Sequence, residues 1–483
     1  MNLYSEGQFS RRYCTAAILN ASIGFLFTNL CIGVYNSLQT FFQKELFSDS
    51  SEGTVTFIIT APFLAGGFGA IMAVPITARI GRRKILMAAD LIAVVGIILT
   101  LVYSLSVMII GRLLVGLSIG VMSVVIPLYI VEVSPPEFKN LAFSLSSLVR
   151  AIGMLIAFLE GFGMRNELLT EKSNQTWRIL IGVTMAAPVL NFIGFLYFKY
   201  ETPRHLVSQQ NFAGALDSLN RMYTSDAKRI LDDLRDETDH VELYETISYR
   251  EIFDTRYRKL VLLIGLFMII REFSPFNVIL INAKRIFQLD HEKDESVAVY
   301  MSITFAFVHV ILEVARYWVN KVVDQQLSVV FGTLGVGLLS FAFGFLGLVL
   351  GSGSIISKIA LMFWPVGYSS ALSFLPFLLA SLPVPLKAVS TLTAVNWFFG
   401  FLVVQFYPGI SEGLGVPQTF VLFGLISIVS TVIFQRYLEP TKKDEKEGFT
   451  KLDKTNHEET DQLNLDPTYI EQDVAQEDVL NLN

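Results

Sequence analysis

The chain has 483 residues, 52% of them hydrophobic and only 17% charged, with a formal net charge of −6 and a mean hydropathy of +0.52. Soluble domains carry about 25% charged residues, so this composition excludes an ordinary water-soluble domain and points to a membrane-embedded protein. The two cysteines, Cys14 and Cys31, fall in one apolar stretch and give no disulfide framework. The five histidines are scattered without metal-ligand spacing, and no nucleotide-binding loop, nucleophile elbow or HExxH pair occurs. No metal, cofactor, nucleic acid or catalytic cluster is therefore expected.

A bilayer core of about 30 Å takes roughly 20 apolar residues as a helix. Twelve such runs are predicted. The first six lie near 14–36, 54–80, 85–105, 107–132, 139–162 and 177–199. The second six lie near 259–283, 297–320, 327–350, 355–382, 388–408 and 416–438. The expected plan is an all-α membrane protein: a terminus at 1–13, a six-helix bundle at 14–200, a polar loop at 201–258, a second bundle at 259–440 and an acidic tail at 441–483. Within the loop, ALDSLNRMY and AKRILDDLRDE have helical apolar spacing and predict short amphipathic helices. The tail cannot bury a core and is expected to be disordered.

Lys and Arg near helix ends set orientation. Arg11 and Arg12, then Arg79, Arg82, Arg83 and Lys84, then the central loop, place both termini and that loop in the cytoplasm; Lys284 and Arg285 go against the trend. The first run is long and interrupted by Asn20 and Asn29, unlike a signal peptide. Asn174-Gln175-Thr176 is a glycosylation sequon so close to Trp177 that chance accounts for it. Two six-helix sets joined by a long loop suit a transporter holding its substrate between halves. A seven-helix receptor does not fit.

The motifs sharpen this. TARIGRRKILM follows the second run, with Gly81 permitting a tight turn among Arg79, Arg82 and Arg83. The fourth run carries Gly111, Arg112, Gly116 and Gly120, then Pro127, Tyr129, Glu132 and Pro135. Small residues at spacings of five and four put at least the last two on a close-packing face. Lys139-Asn140 follows, and Glu201-Thr202-Pro203-Arg204-His205-Leu206 comes after the sixth run. Together these resemble the sugar porter family of the major facilitator superfamily, whose helix-four pattern is GR…G…G…PxYxxE…P…RG and whose post-helix-six pattern is PESPRWL. The resemblance spans about residues 14 to 442, and GVYNSLQ at 33–39 is similar to the end of helix one in glucose facilitators. It implies a twelve-helix fold, alternating access and a sugar substrate.

The second half departs from the pattern. VNKVVDQQ stands where the family repeats its basic turn, PVGYSSALSF stands near its GPxPW, and LEPTKK resembles a scrambled PETKG. Helix seven of the family carries QQxSGxN and a Tyr pair. REFSPFN aligns there, so Ser274 and Asn277 match, Arg271 and Glu272 replace the two Gln, and Ile281-Asn282 replaces the Tyr pair. Amides offer a sugar both donors and acceptors, whereas Arg only donates and a carboxylate only accepts. The resemblance implies a substrate site at Asn277, Asn396 and Trp397, with Ser147 at the place of a helix-five Gln; Arg271, Glu272 and Ser274 join them.

Ionised groups inside a membrane cost at least about 2.5–3.5 kcal/mol unless they meet a partner or water. Neighbours on a helix do not face each other, so Arg271 and Glu272 are not expected to satisfy themselves. The candidate partner is helix eight, where His309, Glu313 and Arg316 share a face; structural pairing is expected for them, and for Asp90 and Arg150. Arg79, Gly81, Arg82, Arg83, Glu132, Lys139, Glu201 and Arg204 form an expected cytoplasmic gate, in which Glu132→Gln would favour inward-facing states. Cys31 stands where proton-coupled members carry Asp, two residues before Gly33, which implies passive facilitation. Two alternatives stay open: a transporter of a charged organic solute with Arg271 as counter-ion, and a non-transporting sensor signalling through the tail.

Overall fold

In lipid every backbone polar group must be satisfied internally, which leaves helices as the natural outcome of long apolar runs. The computed structural model bears this out. It describes residues 9–161, 175–246, 249, 252, 255–288, 296–323, 325–351, 353–374, 385–432 and 435. Residues Met1–Thr431 form one compact unit; the second, Val432–Asn483, falls outside the described residues except at 432 and 435, and so does the expected disordered tail. The sequon's Asn174 also lies outside them.

The first span is α1 (Arg11–Gly33) running through α2 (Tyr35–Phe41) to Leu46, ten residues past the predicted end. Phe42 explains the extension: its ring meets Tyr35, Phe47 and Trp177 edge-on at 5.7–6.0 Å. Then come α3 (Glu52–Ile80), α4 (Arg82–Thr100), α5 (Leu105–Val133), α6 (Lys139–Leu159), and α7 (Thr176–Val183) with α8 (Ala186–Tyr197) as a broken sixth span. The polar stretch supplies α9 (Pro203–Ser208), α10 (Phe212–Met222) and α11 (Ala227–Thr246). The seventh span is α12 (Thr255–Glu272) plus α13 (Phe276–Phe287), followed by α14 (Ser296–Val322) and α15 (Gln325–Leu350). The tenth is α16 (Ile355–Met362) with α17 (Trp364–Ala371), the eleventh α18 (Leu386–Leu414) and the last α19 (Val416–Val432).

Among the described residues nine helical spans are long and apolar enough to cross a membrane. The other three of the twelve are α4, which starts on Arg82, Arg83 and Lys84, the broken α16–α17 pair, and the shorter α19. Ile179, Phe331, Val349 and Leu190 are each more than half exposed, which a water-facing surface would not tolerate and a lipid-facing one requires.

Small residues set the helix spacing. A side chain on Gly116 would strike Pro62 of α3 at 2.5 Å, and one on Gly120 would strike the backbone of Gly66. Gly111 instead faces Gly96 of α4, so the helix-four glycines serve two neighbours. Gly81 has φ +94, a left-handed value that glycine adopts without penalty, and it turns the chain from α3 into α4.

The seventh run was expected to be continuous. It breaks at Phe273–Ser274–Pro275, where the ring of Pro275 removes an amide donor and Ser274 Oγ caps the Arg271 carbonyl at 2.5 Å. Arg271 and Glu272 therefore sit at a helix end rather than mid-helix. The two charges approach each other, Arg271 Nη1 lying 3.6 Å from Glu272 Oε1, but their hydrogen bonds go to amides, Asn396 and Asn277, so the pair does not satisfy itself alone.

Candidate functional site

A cavity lies between the two sets of spans. Phe25, Thr28, Asn29 and Ile32 come from α1, Ser123 from α5 and Arg150 from α6. Met268 and Arg271 come from α12, Phe276 and Asn277 from α13, Tyr368 from α17, and Thr393, Asn396 and Trp397 from α18. The lining thus alternates amides and hydroxyls with aromatic faces.

The break after Glu272 shapes one wall. Arg271 Nη1 donates to Asn396 Oδ1 at 2.5 Å, and Asn277 Nδ2 donates to Glu272 Oε2 at 2.7 Å. Gly400 leaves room for that carboxylate, because a Cβ there would come within 2.9 Å of Glu272 Oε2. Phe276 stacks on Tyr368 at 4.3 Å, and Tyr368 on Trp364 at 5.2 Å, giving the wall a rigid aromatic backing. Trp397 Nε1 donates to Ser123 Oγ at 2.9 Å, a bond between the two halves of the chain.

Of the expected substrate residues, Arg271, Asn277, Asn396 and Trp397 line the cavity. Glu272 and Ser274 lie behind it, holding Asn277 and the helix break. Ser147 is buried away from it. Sequence reasoning missed Thr28, Asn29, Tyr368 and Thr393 as lining residues. The polar interruption at Asn29 was the available signal. Arg150, expected to be structural, faces the cavity and donates to the Ser373 carbonyl. Asp90 does pair structurally, accepting from Asn191 Nδ2 at 3.0 Å.

At the Gly81 end, charges from the ends of α4, α5 and α9 assemble with Glu201 as a group. Arg82 donates to Glu132 Oε1 through Nη2 at 2.9 Å and Nε at 3.1 Å, and to His205 Nδ1 at 3.0 Å. Burial, aided by the positive charge of Arg82, lowers His205 to about 4, so its ring is a neutral acceptor. The Arg83 backbone N–H donates to Glu201 Oε1 at 2.9 Å and its guanidinium to the Phe195 carbonyl at 2.6 and 2.9 Å. Burial pushes the Glu201 carboxyl up, against the pull of the Arg83 and Thr202 N–H groups. Arg79 is exposed, and Lys139 and Arg204 are half-buried.

Each of these bonds stays within the first half. Links across the halves at the same end are made elsewhere. Arg316 of α14 donates to the Phe143 carbonyl of α6 at 3.3 Å, and Arg150 of α6 reaches the carbonyl of Ser373, whose Oγ accepts from Arg316 at 2.9 Å within the second half. Glu313 pairs within its own helix, 3.5 Å from Arg316 and 4.0 Å from His309. The expected link from Arg271 to helix eight is thus not made: Arg271 lies beside Glu272, and Glu313 beside Arg316. At the opposite end the Lys284 N–H donates to Asn36 Oδ1 at 2.9 Å, and Gly33 packs on Leu280. The halves touch on both sides of the cavity. Arg112 lines neither site; its guanidinium lies 4.0 Å above the Tyr35 ring.

Comparison with known proteins converges on this arrangement. The family described as "Sugar (and other) transporter" matches residues 14–451. The glucose transporter GlcP of Staphylococcus epidermidis is 24% identical over 427 residues, covering 85% of this chain and 90% of that protein. The galactose-proton symporter of Escherichia coli is 25% identical, covering 88% and 90%. The human facilitated glucose transporter member 5 is 26% identical, covering 87% of each. Among solved structures, the proton:xylose symporter XylE bound to 6-bromo-6-deoxy-D-glucose superposes with a TM-score of 0.78 at 16% identity, covering 88% of this chain and 96% of that one. XylE from E. coli in a partially occluded inward-open conformation gives 0.76 at 16% identity, covering 88% and 98%. A family match of this extent, on a fold shared with solved transporters, makes the assignment: this chain belongs to the sugar porter family of the major facilitator superfamily, a multi-pass membrane transporter with twelve helices in two bundles.

Proposed function

We propose that the chain carries a hexose or a related monosaccharide across the membrane by alternating access. The carrying observation is a cavity lined from both halves by Asn29, Asn277, Asn396, Trp397 and Tyr368. Amides match the paired donors and acceptors of sugar hydroxyls, and aromatic faces cover the apolar face of a pyranose ring. Inter-half contacts on both sides describe an occluded state, the midpoint that alternating access requires. The relatives named as carriers of glucose, galactose and xylose support the same reading.

Transport runs down the gradient in this reading, because Cys31 occupies the position of the proton-coupled members' Asp; its carbonyl and Sγ accept from Arg112. The bundles comprise 14–200 and 259–440, joined through 201–258, with 1–13 and the 441–483 tail in the cytoplasm of a plasma-membrane protein. The charge cluster around Gly81 then marks the cytoplasmic end. Uptake into proteoliposomes tests this with hexoses, pentoses and polyols, each with and without a pH gradient. Saturable hexose flux that ignores the gradient is the expected result. Flux that needs an inward proton gradient would overturn passive facilitation, and no flux of any sugar would favour a sensor on this scaffold.

A further inference from the structure

We infer that the preferred substrate is an acidic monosaccharide, a hexuronate, whose carboxylate meets Arg150; this rests on reading the cavity as the sugar site. The argument is one of charge count. Three guanidiniums, Arg150, Arg271 and Arg316, lie in the cavity wall and the floor beneath it, and all are at least largely buried. Two carboxylates accompany them. Glu272 stands 3.6 Å from Arg271, and Glu313 stands 3.5 Å from Arg316. Among the described residues no carboxylate comes within ion-pairing distance of Arg150, and none lines the cavity. His309, which sits beside Glu313, can add positive charge but never negative.

A buried guanidinium can be held by carbonyls alone, and the same chain shows what that takes. Arg112 donates to the carbonyls of Ile58, Cys31 and Ile59, adds Cys31 Sγ and lies 4.0 Å over the Tyr35 ring. It does not line this cavity, and all three of its guanidinium nitrogens donate. Arg150 makes one side-chain hydrogen bond, from Nη2 to the Ser373 carbonyl, and lines the cavity. Its own backbone carbonyl accepts from Asn29 Nδ2 at 3.0 Å, which fixes the helix there. An ionised group at such depth is costly without a partner. The site is built one anion short, and a planar fork matches a carboxylate through two parallel hydrogen bonds. Neutral hydroxyls of the same sugar are left to Asn277, Asn396 and Trp397.

The test is uptake of D-glucuronate and D-glucose by the purified full chain in proteoliposomes, under potentials clamped by potassium and valinomycin. Glucuronate is expected to enter, to compete with glucose, and to enter faster as the lumen is made positive, while glucose flux ignores the potential. Arg150→Gln is expected to lower the glucuronate-to-glucose flux ratio at least about tenfold, the effect of losing one charge-assisted pair, and Arg150→Lys to restore part of it. Wild-type protein alone decides the matter if the variants fold poorly. Glucose flux without glucuronate flux or competition overturns this inference and leaves the sugar reading standing. Flux of neither overturns both.

Discussion

Arg316→Lys isolates the bond between the halves. Lysine keeps the positive charge that Glu313 needs, so the pair within α14 survives. A single ammonium cannot also reach Ser373 Oγ and the Phe143 carbonyl, which Arg316 serves through two separate nitrogens at 2.9 and 3.3 Å. What is lost is one charge-assisted hydrogen bond made only when α6 and α14 are together, worth about 1.5–3 kcal/mol. At 1.36 kcal/mol per factor of ten, the closed-to-open ratio at this end should fall about 10- to 160-fold. Spin labels at the exposed positions Asn140 and Lys321 report the separation by double electron–electron resonance. The native Cys14 and Cys31 are buried and do not compete for label. A shift from short to long distances is expected. An unchanged distribution, in protein of wild-type thermal stability, would refute the assignment of Arg316 as an inter-half latch.

Further outcomes follow from the same geometry. Glu132→Gln removes the charge paired with the buried Arg82, and should cost about 2 kcal/mol in thermal unfolding. Because both residues lie in one half, maleimide accessibility should change little; a marked inward-facing shift would restore the gating role expected from the sequence. Gly120→Leu drives a side chain into the Gly66 backbone and should destabilise by at least about 1–3 kcal/mol, read as loss of the monodisperse peak on size exclusion. Trp397→Phe removes the indole bond to Ser123 and should raise the KM for sugar several-fold with a smaller change in maximal flux. His205 has its proton affinity lowered from 6.5 to about 4, so the unfolded chain binds the proton more readily between those values. Its contribution is present above pH 6.5 and lost as pH falls toward 4. Glu201, shifted up, acts in the opposite sense above pH 4.5. His205→Gln should flatten the acid-side fall in melting temperature.

The fold was legible because its signals are local. Apolar run length gave the spans, Gly116 and Gly120 gave the close face on α3, and the spacing in AKRILDDLRDE gave α11. The site was half legible. Asn277, Asn396 and Trp397 were reached through motif resemblance, whereas Arg150, Asn29 and Tyr368 converge on the cavity from three spans far apart in sequence. No single-sequence pattern encodes that convergence. The break at Pro275 is visible in the letters, whereas its consequence is three-dimensional: a helix that ends at Glu272 lets adjacent side chains approach each other.

The divergence of the second half is better understood as relocation than as decay. In the first half, the charges that brace the Gly81 end sit at helix ends, where Arg82 of α4, Glu132 of α5 and His205 of α9 meet. The second half keeps only Lys321 in the matching basic turn. Its ion pairs have moved into the helices, as Arg271 with Glu272 and Arg316 with Glu313. In both halves the pairs are buried, so removing one partner strands the other. The same relocation that ties α14 to α6 through Arg316 also sets charged groups in and beneath the cavity wall. On the reading of Arg150 as a substrate contact, substitutions at Arg150 or Arg316 should alter both selectivity and the balance of states.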